Sequence, residues 1–156
     1  MHVNLKDDIL KFLLEQKIMT LATISNDYKP QNSVILYFAD NDFNLYFITD
    51  KKSRKAQNIK FNNNVCASIW QHQKLSLQVE GTVTELNSES DKNNMLDNLA
   101  SVSFLEHYNF IPPVIRINAE SELIFYKIKT NIIRCLDLSN PTIKSEEQPA
   151  IQVLAF

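Results

Sequence analysis

Between Ile18 and Leu138 the chain is a succession of short β-rich runs, and most gaps between them hold only a few residues. A parallel crossover needs a dozen residues or more, so such gaps force neighbouring runs to pair antiparallel. The runs are "IMTLATIS" (18–25), "QNSVILYFA" (31–39), "FNLYFIT" (43–49), "NVCASIWQ" (64–71), "LSLQVEGTVTEL" (75–86), "ELIFYKIKT" (122–130) and "IIRCLDLS" (132–139). "NDYKP" breaks the chain after the first, and "DND" between the second and third is a hairpin signal. "IPPVIRINAE" (111–120) cannot start as a central strand, because Pro112 and Pro113 lack ladder donors. Six or seven antiparallel strands in so small a chain favour closure into a barrel. The expected class is mainly β, with added helices.

Three segments have helical spacing instead. "LKDDILKFLLEQK" (5–17) sets Leu5, Ile9, Phe12 and Leu13 on one face. A short helix over 53–61 has Ser53 as N-cap, and 88–102 has Ser88 as cap with Asp91 three residues on. The chain is read as one domain over 1–140. A Pro-interrupted tail, 141–156, follows it and is a candidate for packing on a partner subunit.

Composition excludes several functions. Gly81 is the single glycine among 156 residues, so neither Gly-x-Gly-x-x-Gly nor a Walker loop can be written. Side chains must then do much of any phosphate gripping, and the 17 asparagines are expected to make the turns. A net charge of −2 argues against a general nucleic-acid binder. No run of 18 apolar residues exists and no secretory signal is visible, so no membrane partner is expected and a cytoplasmic location follows by default. Cys66 and Cys135 form no CxxC pair and are read as two buried thiols.

Positive charge is gathered where it is least expected. In "YFITDKKSRKAQNIKFN" (46–62) the helix begins with Arg54 and Lys55, just after Lys51 and Lys52. Cations at a helix start oppose the helix dipole, at about 0.3–1 kcal/mol each. A docked anion would reverse that sign, gaining backbone N–H groups, a serine hydroxyl and two cations together. The competing reading is a solvated basic surface partly neutralised by Asp50.

The order helix, "LAT", strand, "YFIT", "SRKAQNI", strand, "VEGTVTEL" resembles the pyridoxamine 5′-phosphate oxidase-like family, the FMN-binding split β-barrels. The likeness runs from Leu5 to Leu86, and more loosely to Leu138. It implies a homodimer with FMN in a groove at the subunit interface. Its phosphate end would be held by the strand-end threonine and the Ser-Arg-Lys turn, here Ile48, Thr49, Ser53, Arg54 and Lys55. The strand along the flavin ring corresponds to "NSVILY", which implies contacts from Asn32, Ser33, Val34, Ile35 and Leu36. Asn32 and Tyr37 stand where the oxidases proper have Arg and Lys. The partner strand's glutamine falls at Ser76 by spacing back from Gly81, with Gln78 on the same face two residues later. The oxidases also carry Arg and His near their C-terminus, whereas the residues after Leu138 include Lys144 and neither of those types.

The resemblance therefore supports the wider flavin-binding superfamily, not oxidation of pyridoxamine phosphate. Its implied function is an FMN-dependent oxidoreductase acting on a small molecule, with no catalytic residue assigned. The alternatives are a non-catalytic, stress-type protein holding flavin or another anionic cofactor, and a haem-binding or haem-utilisation protein. A deazaflavin fits the same groove. Of the other side chains, His2, His72 and His107 are scattered without zinc spacing, so no metal is expected; His72 or His107 is the haem-ligand candidate. Asp7–Asp8 and Glu146–Glu147 are read as solvated acids. Trp70, Phe38, Phe47 and Tyr46 read as a core set, with an edge position near a ligand left open for Trp70.

Overall fold

The structure, a computed structural model, describes residues 5–101, 122–138 and 151–156. The segment 111–120, His2, His107 and most of the tail, including Lys144 and Glu146–Glu147, lie outside the described residues. The elements in chain order are α1 (Leu5–Glu15), β1 (Ile18–Ile24), β2 (Pro30–Leu36), β3 (Phe38–Ala39), β4 (Leu45–Asp50) and α2 (Arg54–Phe61). Then come β5 (Asn64–Trp70), β6 (Leu75–Glu85), α3 (Glu89–Ser101), β7 (Leu123–Asp137) and β8 (Ile151–Ala155). Every pairing is antiparallel, in the order β2-β1-β5-β6-β7-β4-β3, with β8 also on β7. The fold is a mainly β, curled antiparallel sheet forming a split barrel, with three helices among the described residues.

The "DND" hairpin forms, but only between the short β3 and β4, pairing Phe38 with Tyr46 and Ala39 with Leu45. The rest of 31–39 is β2, which pairs with β1. The two ends of the strand order, β2 and β3, are thus separated by one residue, Tyr37, and the sheet curls so that its edges meet there. Tyr37 is 1% exposed. Its N–H donates to the Lys17 carbonyl at 2.9 Å and its hydroxyl to the Leu13 carbonyl at 3.0 Å. Both bonds tie the corner to the end of α1, whose Ile9, Phe12 and Leu13 are buried in the barrel core.

The two runs at 122–130 and 132–139 are one strand. β7 pairs with β6 along its length, with Gly81 opposite Thr130 and Glu80 opposite Ile132. Asn131 is the extra residue of a β-bulge. The buried residues accordingly switch from even (Ile124, Tyr126, Ile128, Thr130) to odd (Ile133, Cys135). That switch of parity is what made one strand read as two. The tail ends in β8, paired with Ile132–Leu136 of the same chain.

The turns correct a further expectation. Among the described residues the left-handed positions are Tyr28 (φ 61°), Phe43 (φ 65°) and Gln73 (φ 59°), and none of these is an asparagine. Local hydrogen bonds hold two of these turns. Asp40 Oδ1 accepts from the N–H groups of Asp42 and Asn44 at 2.9 Å each. Its Oδ2 accepts from Asn44 Nδ2 and from the Tyr46 hydroxyl at 2.9 and 2.8 Å. The Ser25 hydroxyl bonds to Asp27 and to the Lys29 carbonyl. The one glycine sits elsewhere, facing the bulge. A Cβ on Gly81 would meet the Lys129 carbonyl oxygen at 2.5 Å and Ile128 Cγ2 at 2.6 Å. Gly81→Ala is expected to lower stability by about 1–3 kcal/mol, the range for overpacking a filled interior; urea unfolding of the two proteins checks it.

Candidate functional site

The basic stretch becomes a tightly tied helix start. The loop after β4 turns at Asp50, whose carbonyl accepts from the Ser53 N–H at 2.9 Å. Ser53 is the N-cap of α2, and its hydroxyl accepts from the Ala56 N–H at 3.3 Å. The same hydroxyl lies 3.1 Å from Thr49 Oγ1, to which Lys55 Nζ donates at 3.5 Å. Thr49, Ser53 and Lys55 are therefore one cluster, with Thr49 2% exposed. No acidic residue occupies the first turn. Asp50 does not neutralise the cations: its Oδ1 accepts from the Lys52 N–H at 2.6 Å. Among the described residues, neither Arg54 nor Lys55 forms an ion pair. Burial, and then the adjacent Arg54, hold the Lys55 ammonium below the usual lysine range.

The other expected contact residues divide between two faces. In β2, Ser33 and Ile35 pair with Leu21 and Met19 and share their inward face. Asn32 and Val34 point outward and are exposed, Val34 at 71%. Ser76 and Gln78 lie on the same outer face, opposite Trp70 and Ser68 of β5. They are three strands from β2, or about 14 Å at ordinary strand spacing. The structure therefore brings Thr49, Ser53 and Lys55 together and leaves Ser76 and Gln78 of the same chain apart from β2. The Ile48 side chain packs with Met95 and Phe125 beneath α3, so only its backbone is available to a ligand.

One residue that periodicity did not single out positions this cluster. Asn58 of α2 is buried, and its Nδ2 donates to Thr23 Oγ1 and to Gln31 Oε1 at 3.0 Å each. It ties the helix to β1 and β2 together. A buried asparagine on the inward face of an amphipathic helix was the available signal, because such a group must find partners. Tyr37, in contrast, is buried in the core with its phenol bonded to the Leu13 carbonyl, so its side chain is not available to a ligand.

These residues sit in a recognisable family context. A family model described as pyridoxamine 5′-phosphate oxidase matches residues 5–126. The chain belongs to the pyridoxamine 5′-phosphate oxidase family. A pyridoxine/pyridoxamine 5′-phosphate oxidase of Leptospira interrogans is 33% identical over 81 residues, a match covering 51% of this chain and 38% of that protein. The chain thus matches well under half the length of that curated relative. A putative pyridoxamine 5′-phosphate oxidase of Listeria innocua is similar in structure, with a TM-score of 0.65 at 21% identity over 88% of this chain and all of that one. General stress protein 26 of Bacillus anthracis gives a TM-score of 0.64 at 25% identity, covering 85% of this chain and 94% of that one. Further structures of this fold include proteins named as FAD-binding, as an F420 reductase and as heme-binding, all at 20% identity or below, which show the fold alone.

The stretch shared with the pyridoxamine 5′-phosphate oxidase family contains every candidate residue from Asn32 to Gln78. Outside that set, His72 is exposed in the turn between β5 and β6. Among the described residues no group of three or more His, Cys, Asp and Glu side chains is placed to hold a metal. No described helix is long and apolar enough to cross a membrane. Cys135 is buried and its thiol is pushed up to about 11, chiefly by burial. Cys66, expected inside, faces outward and is half-buried. Trp70 is 62% exposed rather than part of the core around Phe47. Phe38 and Tyr46 stack at 4.8 Å over the smaller cluster beneath α3.

The depressed Lys55 sets a pH signature for an anion at α2. The ammonium is lost as pH rises through a value below the ordinary lysine pKa of about 10.4. Inorganic phosphate is expected to bind while the Lys55 ammonium persists and to weaken on the alkaline side, before free lysines deprotonate. In Lys55→Arg, whose cation persists above pH 12, that alkaline fall should vanish; calorimetric titrations from pH 7 to 10 check both.

Proposed function

We propose that this chain is an FMN-binding flavoprotein of the pyridoxamine 5′-phosphate oxidase family, acting as an oxidoreductase on a small molecule. The observation that carries the reading is the serine-capped start of α2. It presents two cations that nothing else in the described residues neutralises, beside a buried threonine hydroxyl. Ser53, Arg54, Lys55 and Thr49 would hold the phosphate, through charge-assisted hydrogen bonds and the free N–H groups of the helix. The backbone of Asn32 to Leu36 would lie along the ring. Asn58, by fixing α2 against β1 and β2, keeps phosphate end and ring end at a constant separation. When bound, FMN supplies the hydride or electron transfer.

The reading includes a second copy of the chain. Ile18, Val34, Trp70, Leu136, Ile151 and Val153 are exposed apolar side chains of the outer sheet face, each at least 37% accessible. Pairing two such faces would cover them. It would also let Ser76 and Gln78 of one protomer approach the β2 ring site of the other, which they cannot reach in their own. A non-catalytic role of the stress-protein type is the second reading, favoured by the likeness to general stress protein 26. Sustained turnover of an acceptor with NAD(P)H would remove it.

Arg54→Ala/Lys55→Ala separates the phosphate from the ring. The double variant is expected to lose about 2–4 kcal/mol of FMN affinity, for two charge-assisted contacts, while riboflavin affinity stays nearly constant. Fluorescence titrations of both flavins measure it, and an equal loss for both would rule out the phosphate assignment.

A further inference from the structure

The barrel is open beside α2. A cavity of about 290 Å³ lies there, near the lower end of the range for small-molecule sites, which often occupy barrel mouths. Its floor is apolar, formed by Ala56 and Ile59 of α2, Val83 of β6 and Ile124 of β7. These four side chains belong to the inward faces of their elements and are each at most 8% exposed. The cavity lies along the flank of α2 that carries Gln57 and Lys60, whereas the cationic cluster is at its N-terminus.

One polar group stands out in this cavity. Tyr126 is 4% exposed and lines it. Its ring packs on Phe47 at 5.3 Å, which fixes the phenol in place. The hydroxyl has no hydrogen-bond partner among the described residues, and since none of their buried side-chain N or O atoms lacks one, its oxygen is open to the cavity rather than sealed in the core. Burial, with Glu85 nearby, pushes the phenol up to about 12, so near neutral pH it keeps its proton as a donor. A ligand acceptor seated on the apolar floor would take that donor in place of water.

The rim decides the charge of that something. Lys51 Nζ is taken by Glu122 Oε1 at 2.6 Å. The remaining charged side chains at the mouth, Lys60 and Glu85, have opposite signs and sum to zero. Such a rim gives a net anion no advantage, unlike the start of α2. We infer that the barrel mouth binds a small, uncharged, largely apolar molecule with one hydrogen-bond acceptor, of the aryl ketone class, held by the Tyr126 hydroxyl over the Ala56, Ile59, Val83 and Ile124 floor. This site is separate from the flavin groove and stands whether or not flavin binds.

Three isosteric probes test it on the full chain with labelled methyl groups: 4-fluoroacetophenone, 1-ethyl-4-fluorobenzene and 4-fluorobenzoate. The ketone should shift the Ile59, Val83 and Ile124 methyl resonances, and leave those of Val34 and Val153 on the outer face in place. It should bind about 2- to 10-fold more tightly than the hydrocarbon, the value of one net hydrogen bond. Tyr126→Phe should erase that margin and leave hydrocarbon binding unchanged, which also shows the variant to be folded. The inference is overturned if millimolar ketone moves none of the three floor methyls, as when another part of the chain fills the mouth. A benzoate that outbinds the ketone, or a margin that survives Tyr126→Phe, overturns it equally.

Discussion

Two hydrogen bonds at Tyr37, from its N–H to the Lys17 carbonyl and from its phenol to the Leu13 carbonyl, hold the corner on which this barrel is built. The chain leaves β2 at Leu36 and enters β3 at Phe38, so one residue joins the two ends of the strand order. With that corner fixed against α1, the curl of the sheet is set, and β2 is brought close to β4 across the split. The candidate cofactor site lies at this split: β4 delivers Thr49, the loop after it starts α2, and Asn58 ties α2 back to β1 and β2.

The same corner bears on the electrostatics. Position 37 contributes no charge to the groove. Its side chain is a core phenol, and Asn32 of β2 is a neutral, exposed amide. What remains is the start of α2, where Arg54 and Lys55 oppose the dipole at an order of 0.3–1 kcal/mol each. A phosphate there would turn both penalties into attractions, and would compensate the burial of Lys55.

Much of this was legible in the sequence where a single period held. α1, the capped α2, and β1, β4, β5 and β6 follow from alternation, helical spacing and Ser53. The bulge at Asn131 was not legible, because one extra residue flips the parity and mimics a strand break. Nor was the division at Tyr37, since an aromatic in an apolar run carries no sign that the chain is changing partners. The turns misled for another reason: Tyr28, Phe43 and Gln73 take the left-handed positions, and at the first two turns the compensation comes from flanking side-chain hydrogen bonds around Ser25 and Asp40. At the site, the cationic helix start could be read from residue types alone. The distance of Ser76 and Gln78 from β2 within one chain could not, because it follows from the strand order.

The central claim is that the start of α2 and the β2 edge hold a flavin. A visible absorption spectrum of the purified protein, taken before and after addition of excess FMN and desalting, tests it most directly. The account predicts retained flavin bands with one FMN per chain. A protein that remains colourless after incubation with excess FMN would contradict it.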